Sequence, residues 1–168
     1  MGGVRPHVKV GRYCSFGIGI QRLYANHPLS DVSTHPLFHL KEFGYVKENN
    51  NPTYNLEIGN DVWVGVNAII TSKCRHIGDG AVIGAGSIFT HDLESYGIYA
   101  GNPARLIRYR FDKDTRIRIL ASRWFELDPD RLQGLITDFE SIEEFCNKAS
   151  ILHEQTARKK QDAEKGNE

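Results

Sequence analysis

Aliphatic residues spaced six apart constrain this chain more than any other feature. Ile58, Val64 and Ile70 keep that spacing, and after one interval of seven Ile77, Ile83 and Phe89 resume it. The residue four places after each is Val62, Ala68, Cys74, Ala81, Ser87 and Leu93, mostly small or apolar. Glycine follows several of the leading residues, at Gly59, Gly65, Gly78 and Gly84. The same phase runs upstream through Val4, Val10 and Phe16, with Val8, Cys14 and Ile20 four later, and it fails at Arg22. An amphipathic helix repeats near 3.6 residues and a half-buried strand at two, so neither explains a period of six. Hexads build a β-helix, with each hexad a short strand plus a turn and three hexads to a triangular coil. The leading aliphatic fills a corner of the prism, the residue four later has less room, and glycine serves the turn. Coils stack through backbone hydrogen bonds and bury a continuous column of side chains.

The pattern covers residues 4–21 and 58–94, with a weaker turn through "GIYAGNPARLIRYRF". A β domain over 1–111 is therefore expected, interrupted by an excursion at 22–57. Loops of that length in compact domains are usually functional or disordered. This one holds Tyr24, His27, His35, Phe38, His39, Phe43, Tyr45 and Tyr54, too aromatic for simple disorder. Beyond "RYRF", helical spacing over 112–124 and 128–149, as in Leu132, Leu135, Ile136 and Phe139, predicts a helical segment at 112–150. Asp128 or Asp130 beside Pro129 is a start signal for the second helix. Residues 151–168 form a charged tail, expected to fray from 155 onward.

Formal net charge is zero, so composition offers no whole-chain attraction to nucleic acid or to an anionic membrane. The chain has no long apolar run and no signal peptide, and it reads as soluble and cytoplasmic. Cys14, Cys74 and Cys146 are odd in number and hold no Cys-x-x-Cys pair, so reduced thiols are expected. Cys14 and Cys74 occupy the small inward position of the hexad, which is a structural role.

The segments "IGNDVWVGVNAII", "IGDGAVIGAGSIF" and "AGNPARLIRYRF" resemble hexapeptide-repeat acyltransferases. The loop "NHPLSDVSTHP" and the stretch "RFDKDTRIRILASRWFEL" narrow the resemblance to the xenobiotic acetyltransferase branch. That branch includes streptogramin and type B chloramphenicol acetyltransferases, and related members modify sugars. The resemblance covers roughly residues 10–130. It implies a mainly β fold, a left-handed parallel β-helix with an inserted loop and C-terminal α-helices. The left hand runs against the usual crossover rule and does not follow from chain chirality. The resemblance also implies a homotrimer that binds acetyl-CoA between neighbouring prisms and moves the acetyl group to a hydroxyl of a sugar or antibiotic-like molecule, with no metal. A short prism has little core of its own and gains by burying its faces against partners, which agrees with a trimer.

By the same resemblance His27, after Asn26, is the catalytic base. Imidazole suits this chemistry, because a hydroxyl attacking a thioester must lose its proton to a group that titrates near neutrality. The thioester is already activated, so no covalent nucleophile is needed. An oxyanion donor is expected, such as a backbone N–H. His35 and His39 are expected to pack the loop or touch the acceptor, and Asp31 to orient an imidazole or bind acceptor hydroxyls. Tyr24 belongs with the acceptor-lining aromatics. Val66 and Ala85 match positions that line the cofactor arm. Thr90 and His91 match a Thr-Lys pair near the cofactor, with His here in place of Lys. Arg105 and Arg108 match a basic pair near its phosphates, and three residues apart they are expected to share one side of the cleft. Trp63 is expected to cover the cleft or to pack between subunits.

Two other readings remain at this point. A γ-class carbonic anhydrase uses the same prism but needs three zinc-binding histidines, and the coils offer only His76 and His91 beside loop His27. A non-catalytic trimeric scaffold would not require the loop histidine or the basic pair.

Overall fold

The computed structural model describes residues 7–50 and 52–165, so the hexad leader at Val4 lies outside the described residues. Strands β1 (Val8–Val10), β2 (Ser15–Phe16) and β3 (Gln21–Arg22) make a first coil. Residues 23–55 follow, and then β4 (Leu56–Ile58), β5 (Trp63–Val64) and β6 (Ile69–Ile70) make a second coil. A third coil holds β7 (His76–Ile77), β8 (Val82–Ile83) and β9 (Ile88–Phe89), followed by β10 (Gly97–Gly101) and β11 (Ala104–Tyr109). The strands sort into sheets ordered β1-β4-β7, β3-β6-β9 and β2-β5-β8-β10-β11. Pairing within the coils is parallel, with Ile58 beside Ile77, Val64 beside Ile83 and Ile70 beside Phe89. Each hexad leader therefore stacks on the leader of the next coil, and the extra residue of the seven-residue interval is taken up at the corner between Ile70 and Ile77.

The period is a burial period. Val64, Ala68, Ile77, Ala81 and Phe89 are all at 0% exposure, and Ser87 fills a follower position at 1%. The first coil differs: Val10 and Phe16 keep the phase but are 46% and 48% exposed. Inner side chains are covered by the coils on either side, and among the described residues this coil has a neighbour on one side only. Arg22, where the phase breaks, turns its guanidinium to the carbonyl of Tyr54. That bond, an antiparallel bridge between Ala25 and Thr53, and the Tyr54 N–H donating to the Tyr24 carbonyl at 2.9 Å pinch together the two ends of the 23–55 segment.

Close stacking explains one glycine in particular. A Cβ on Gly65 would lie 2.6 Å from the backbone nitrogen of Ala85 in the next coil. A polar ladder runs down another corner. The Arg12 N–H donates to Asn60 Oδ1 at 2.9 Å, and the Asn60 side-chain amide donates to Asp79 Oδ1 at 2.8 Å.

The contacts divide the chain into Met1–Arg108 and Tyr109–Glu168. The second unit holds α1 (Lys113–Ser122), α2 (Pro129–Leu132) and α3 (Ile142–Lys165). Asp112 caps α1 by accepting the Thr115 N–H at 2.9 Å. Helical spacing over 128–149 resolves into two helices with a 3-10 run, Gln133–Asp138, between them, where Gly134 is a poor helix former. The stretch expected to fray from 155 instead continues α3 as far as Lys165. Its Glu, Gln, Ala, Arg and Lys residues have high helix propensity, so charge alone does not end the helix. Among the described residues, no helix is long and apolar enough to cross a membrane.

Candidate active site

The 23–55 segment leaves the prism after β3 and returns before β4, at the corner where residues 71–75 connect β6 to β7. It carries three histidines, and their hydrogen bonds set His27 apart from the other two. His27 Nδ1 lies 2.6 Å from the carbonyl oxygen of Thr34. A carbonyl can only accept, so Nδ1 carries the ring proton and Nε2 of the neutral ring keeps a lone pair. The ring is exposed, and the His27 N–H is fixed by Asn26 Oδ1 at 3.0 Å. His35 is the reverse case. Its Nδ1 accepts the Leu37 N–H at 3.1 Å and caps the 3-10 turn Pro36–Phe38, so Nε2 of the neutral ring bears the proton. His39 is 4% exposed and its Nε2 donates to the Ser33 carbonyl at 2.6 Å. Only His27 of the three presents an unprotonated ring nitrogen to solvent.

Asp31 sits beside a different imidazole from His27: its Oδ2 is 3.8 Å from His39 Nδ1. Tyr24 is 52% exposed at the neck of the segment. Trp63 stands on β5, 57% exposed, between Ser15 and Val82 of the neighbouring coils.

The residues assigned to the acyl donor fall on other parts of the prism. Val66 and Ala85 meet at stacked corners, where the Gly86 N–H donates to the Val66 carbonyl at 2.8 Å. No atom stands within 4 Å of a Cβ built on Gly86, so the backbone there is open to approach. Thr90 Oγ1 lies 3.4 Å from His91 Nδ1, and the His91 ring meets Tyr99 edge-on at 6.4 Å. Arg105 and Arg108 are both exposed on β11. They lie on an extended strand, where residues three apart have opposite parity and point to opposite faces. Neither hydrogen bond that holds His27 involves any of these six residues.

A cavity of about 420 Å³ opens at the base of the segment, lined by Asn26, Tyr54, Ser72, Lys73, Arg75 and Asp92. The Arg75 guanidinium lies 3.9 Å over the Tyr54 ring. Asp92 Oδ1 accepts the N–H groups of Arg75 at 2.7 Å and His76 at 2.9 Å. Lys73 and Arg75 were not singled out by sequence reasoning, although the seven-residue interval marked their corner. Among the described residues no group of three or more His, Cys, Asp or Glu side chains is placed to hold a metal ion. Burial, with Asp92 adding to it, pushes the Cys74 thiol up to about 12, and burial also raises Cys14.

No protein-family model matches the sequence. The chain is 38% identical over 131 residues to a chloramphenicol acetyltransferase of Agrobacterium fabrum, covering 74% of this chain and 62% of that one. It is 33% identical over 153 residues to a protein of Lysinibacillus sphaericus named as a probable macrolide acetyltransferase, covering 84% of this chain and 83% of that one. The chain belongs to the hexapeptide-repeat acetyltransferase family. A member of known structure, a galactoside acetyltransferase in complex with coenzyme A, aligns with a TM-score of 0.50 at 30% identity, covering 64% of this chain and 47% of that one. The N-acyltransferase AntD of Bacillus cereus shares the fold, with a TM-score of 0.51 at 22% identity over 66% of this chain and 55% of that one.

Proposed function

We propose that this family member is an acetyl-CoA-dependent O-acetyltransferase in which His27 is the general base. The observation that carries the reading is the Nδ1–H of His27 tied to the Thr34 carbonyl at 2.6 Å, with Nε2 left basic and exposed. Nε2 takes the proton of the acceptor hydroxyl as its oxygen attacks the thioester carbonyl. It returns that proton to the departing thiolate, leaving an acetyl ester and free CoA. Val66, Ala85 and the open backbone at Gly86 suit a narrow cofactor arm, with Thr90 and His91 nearby in the chain. Arg105 and Arg108 offer forked donors to its phosphates, now from opposite faces of β11. Tyr24, Asp31 and Trp63 belong to acceptor recognition, with Asp31 3.8 Å from His39 Nδ1 in the same loop.

The finer assignments go with this reading. The coils wind left-handed, residues 1–111 form the acyltransferase domain with 22–57 inserted, 112–150 form the helical segment and 151–168 the charged tail. Three copies form the working enzyme, which acts in the cytoplasm where acetyl-CoA is available. Apolar side chains exposed on the prism, such as Trp63 at 57% and Ile107 at 63%, support burial between subunits. A saccharide acceptor is favoured over an apolar macrocycle because the loop "HPLSDVSTHPLFHL" is polar. The test is a thiol-release screen of sugars, nucleotide sugars, chloramphenicol and streptogramins with acetyl-CoA, alongside calorimetry of the donor alone. Donor binding and release with a hydroxyl acceptor are expected, and no binding at millimolar acetyl-CoA would defeat the reading.

A further inference from the structure

We infer that the cavity lined by Asn26, Lys73 and Arg75 receives an anionic group of the acceptor, so that the acceptor is a hydroxyl compound carrying a carboxylate or phosphate; this rests on the acetyl-transfer reading of His27. The cavity has its origin in the sequence period. Between residues 58 and 89 the hexads slip once, between Ile70 and Ile77, and the longer corner is "TSKCR". That corner supplies Ser72, Lys73 and Arg75 to the cavity wall, and the neck of the histidine segment supplies Asn26 and Tyr54. A volume of about 420 Å³ falls within the usual range of small-molecule sites, about 300–1,000 Å³.

The wall is chemically biased. The Arg75 guanidinium carbon lies 3.9 Å from the centroid of the Tyr54 ring, and a guanidinium held by a ring in this way keeps N–H groups to donate to a planar or tetrahedral anion. Lys73 makes no ion pair among the described residues. The single carboxylate of the wall, Asp92, has its Oδ1 turned to two backbone N–H groups, at 2.7 and 2.9 Å, which hold the corner closed. The wall thus carries two cations, Lys73 and Arg75, against the one carboxylate of Asp92. Ser72, at 6% exposure, adds a hydroxyl to the same wall. Asn26 lines this wall and its Oδ1 accepts the backbone N–H of His27, so the wall is one residue along the chain from the proposed base.

Calorimetric titration of the full chain, saturated with CoA and at low salt, tests this with three matched probes: glucose, glucuronate and glucose 6-phosphate. At least one anionic sugar should bind at least tenfold more tightly than glucose, and added salt should erode the preference. Which of the two binds tells carboxylate from phosphate. The double substitution Lys73→Gln with Arg75→Gln should abolish the preference, with affinity for CoA unchanged. Lys73→Gln alone, which leaves the Arg75–Tyr54 stack in place, should weaken the preferred probe at least threefold. Equal binding of glucose, binding of neither anion, or a double variant that keeps the preference would overturn the inference. So would a parallel loss of CoA affinity, which would assign the cations to the donor's phosphates. Acetyl transfer to a neutral sugar with no anion preference sinks this inference alone. An anion preference without acetyl transfer to any hydroxyl sinks the acetyltransferase reading and leaves the cavity's charge selectivity standing.

Discussion

The Nδ1 atom of His27 lies 2.6 Å from the carbonyl oxygen of Thr34, and this contact decides which ring nitrogen is basic. The same segment shows the alternative in His35, whose Nδ1 accepts the Leu37 N–H at 3.1 Å. Two imidazoles eight residues apart in one loop are held in opposite tautomers by backbone groups of opposite polarity. His35→Ala removes a turn cap and should cost about 0.5–1.5 kcal/mol of stability. Its acetyl turnover is expected to stay within about tenfold of wild type, since no proton transfer is lost. Steady-state kinetics beside a urea melt checks both.

The stacked register makes core substitutions in the prism unequal. Ile83 is 1% exposed and paired with Val64 and Tyr99 on either side. Ile83→Ala should destabilise by about 2–5 kcal/mol, through lost burial and an unfilled cavity. Val10→Ala keeps the same hexad phase but starts from 46% exposure, and should cost less than about 1 kcal/mol. Urea midpoints of the two variants are expected to differ plainly, and equal midpoints would mean that Val10 is covered as well as Ile83.

Asn60 links coils on both sides, accepting from the Arg12 N–H at 2.9 Å and donating to Asp79 Oδ1 at 2.8 Å. Asn60→Ala removes the side-chain acceptor of the Arg12 N–H and one of the two donors that Asn60 gives to Asp79 Oδ1. A loss of about 1–3 kcal/mol is expected, with Asn60→Asp no better because a second carboxylate would face Asp79. Thermal melts of both variants check this.

Cys74 lies inside the third coil's corner with its thiol raised to about 12, chiefly by burial. At pH 8 it should resist alkylation in the folded protein and react once the chain unfolds. The sign of its linkage follows from the raised value. Its contribution to stability is complete below the ordinary value of 9.0 and is lost as pH climbs toward about 12. Mass mapping after iodoacetamide treatment, with and without urea, reads the first point, and urea midpoints across alkaline pH read the second.

Much of the prism was legible because burial and spacing are the same signal there. Ile58, Val64, Ile70, Ile77, Ile83 and Phe89 stand out by spacing and prove to be the column that stacks from coil to coil. The seven-residue interval was visible too, but its consequence was not. Lys73 and Arg75 look like ordinary surface charges until the neck of the 23–55 segment brings Tyr54 and Asn26 beside them. The partner of His27 was invisible for another reason: a backbone carbonyl at Thr34 leaves no mark in residue identity. Arg105 and Arg108 stand three apart on β11, where spacing alone does not show which face of a cleft each meets. The length of α3 is not legible from charge, because the Glu, Gln, Ala, Arg and Lys residues that suggest a frayed tail also favour helix.

The central claim is that His27 supplies the base, and the most direct measurement is acetyl turnover of His27→Ala with the best acceptor from the thiol-release screen. Acetyl-CoA affinity should be measured on the same preparation. The account predicts a fall of about 10²–10⁴-fold in turnover with donor affinity nearly unchanged, because the substitution removes a proton acceptor and no donor contact. A His27→Ala protein that turns over at the wild-type rate would contradict it.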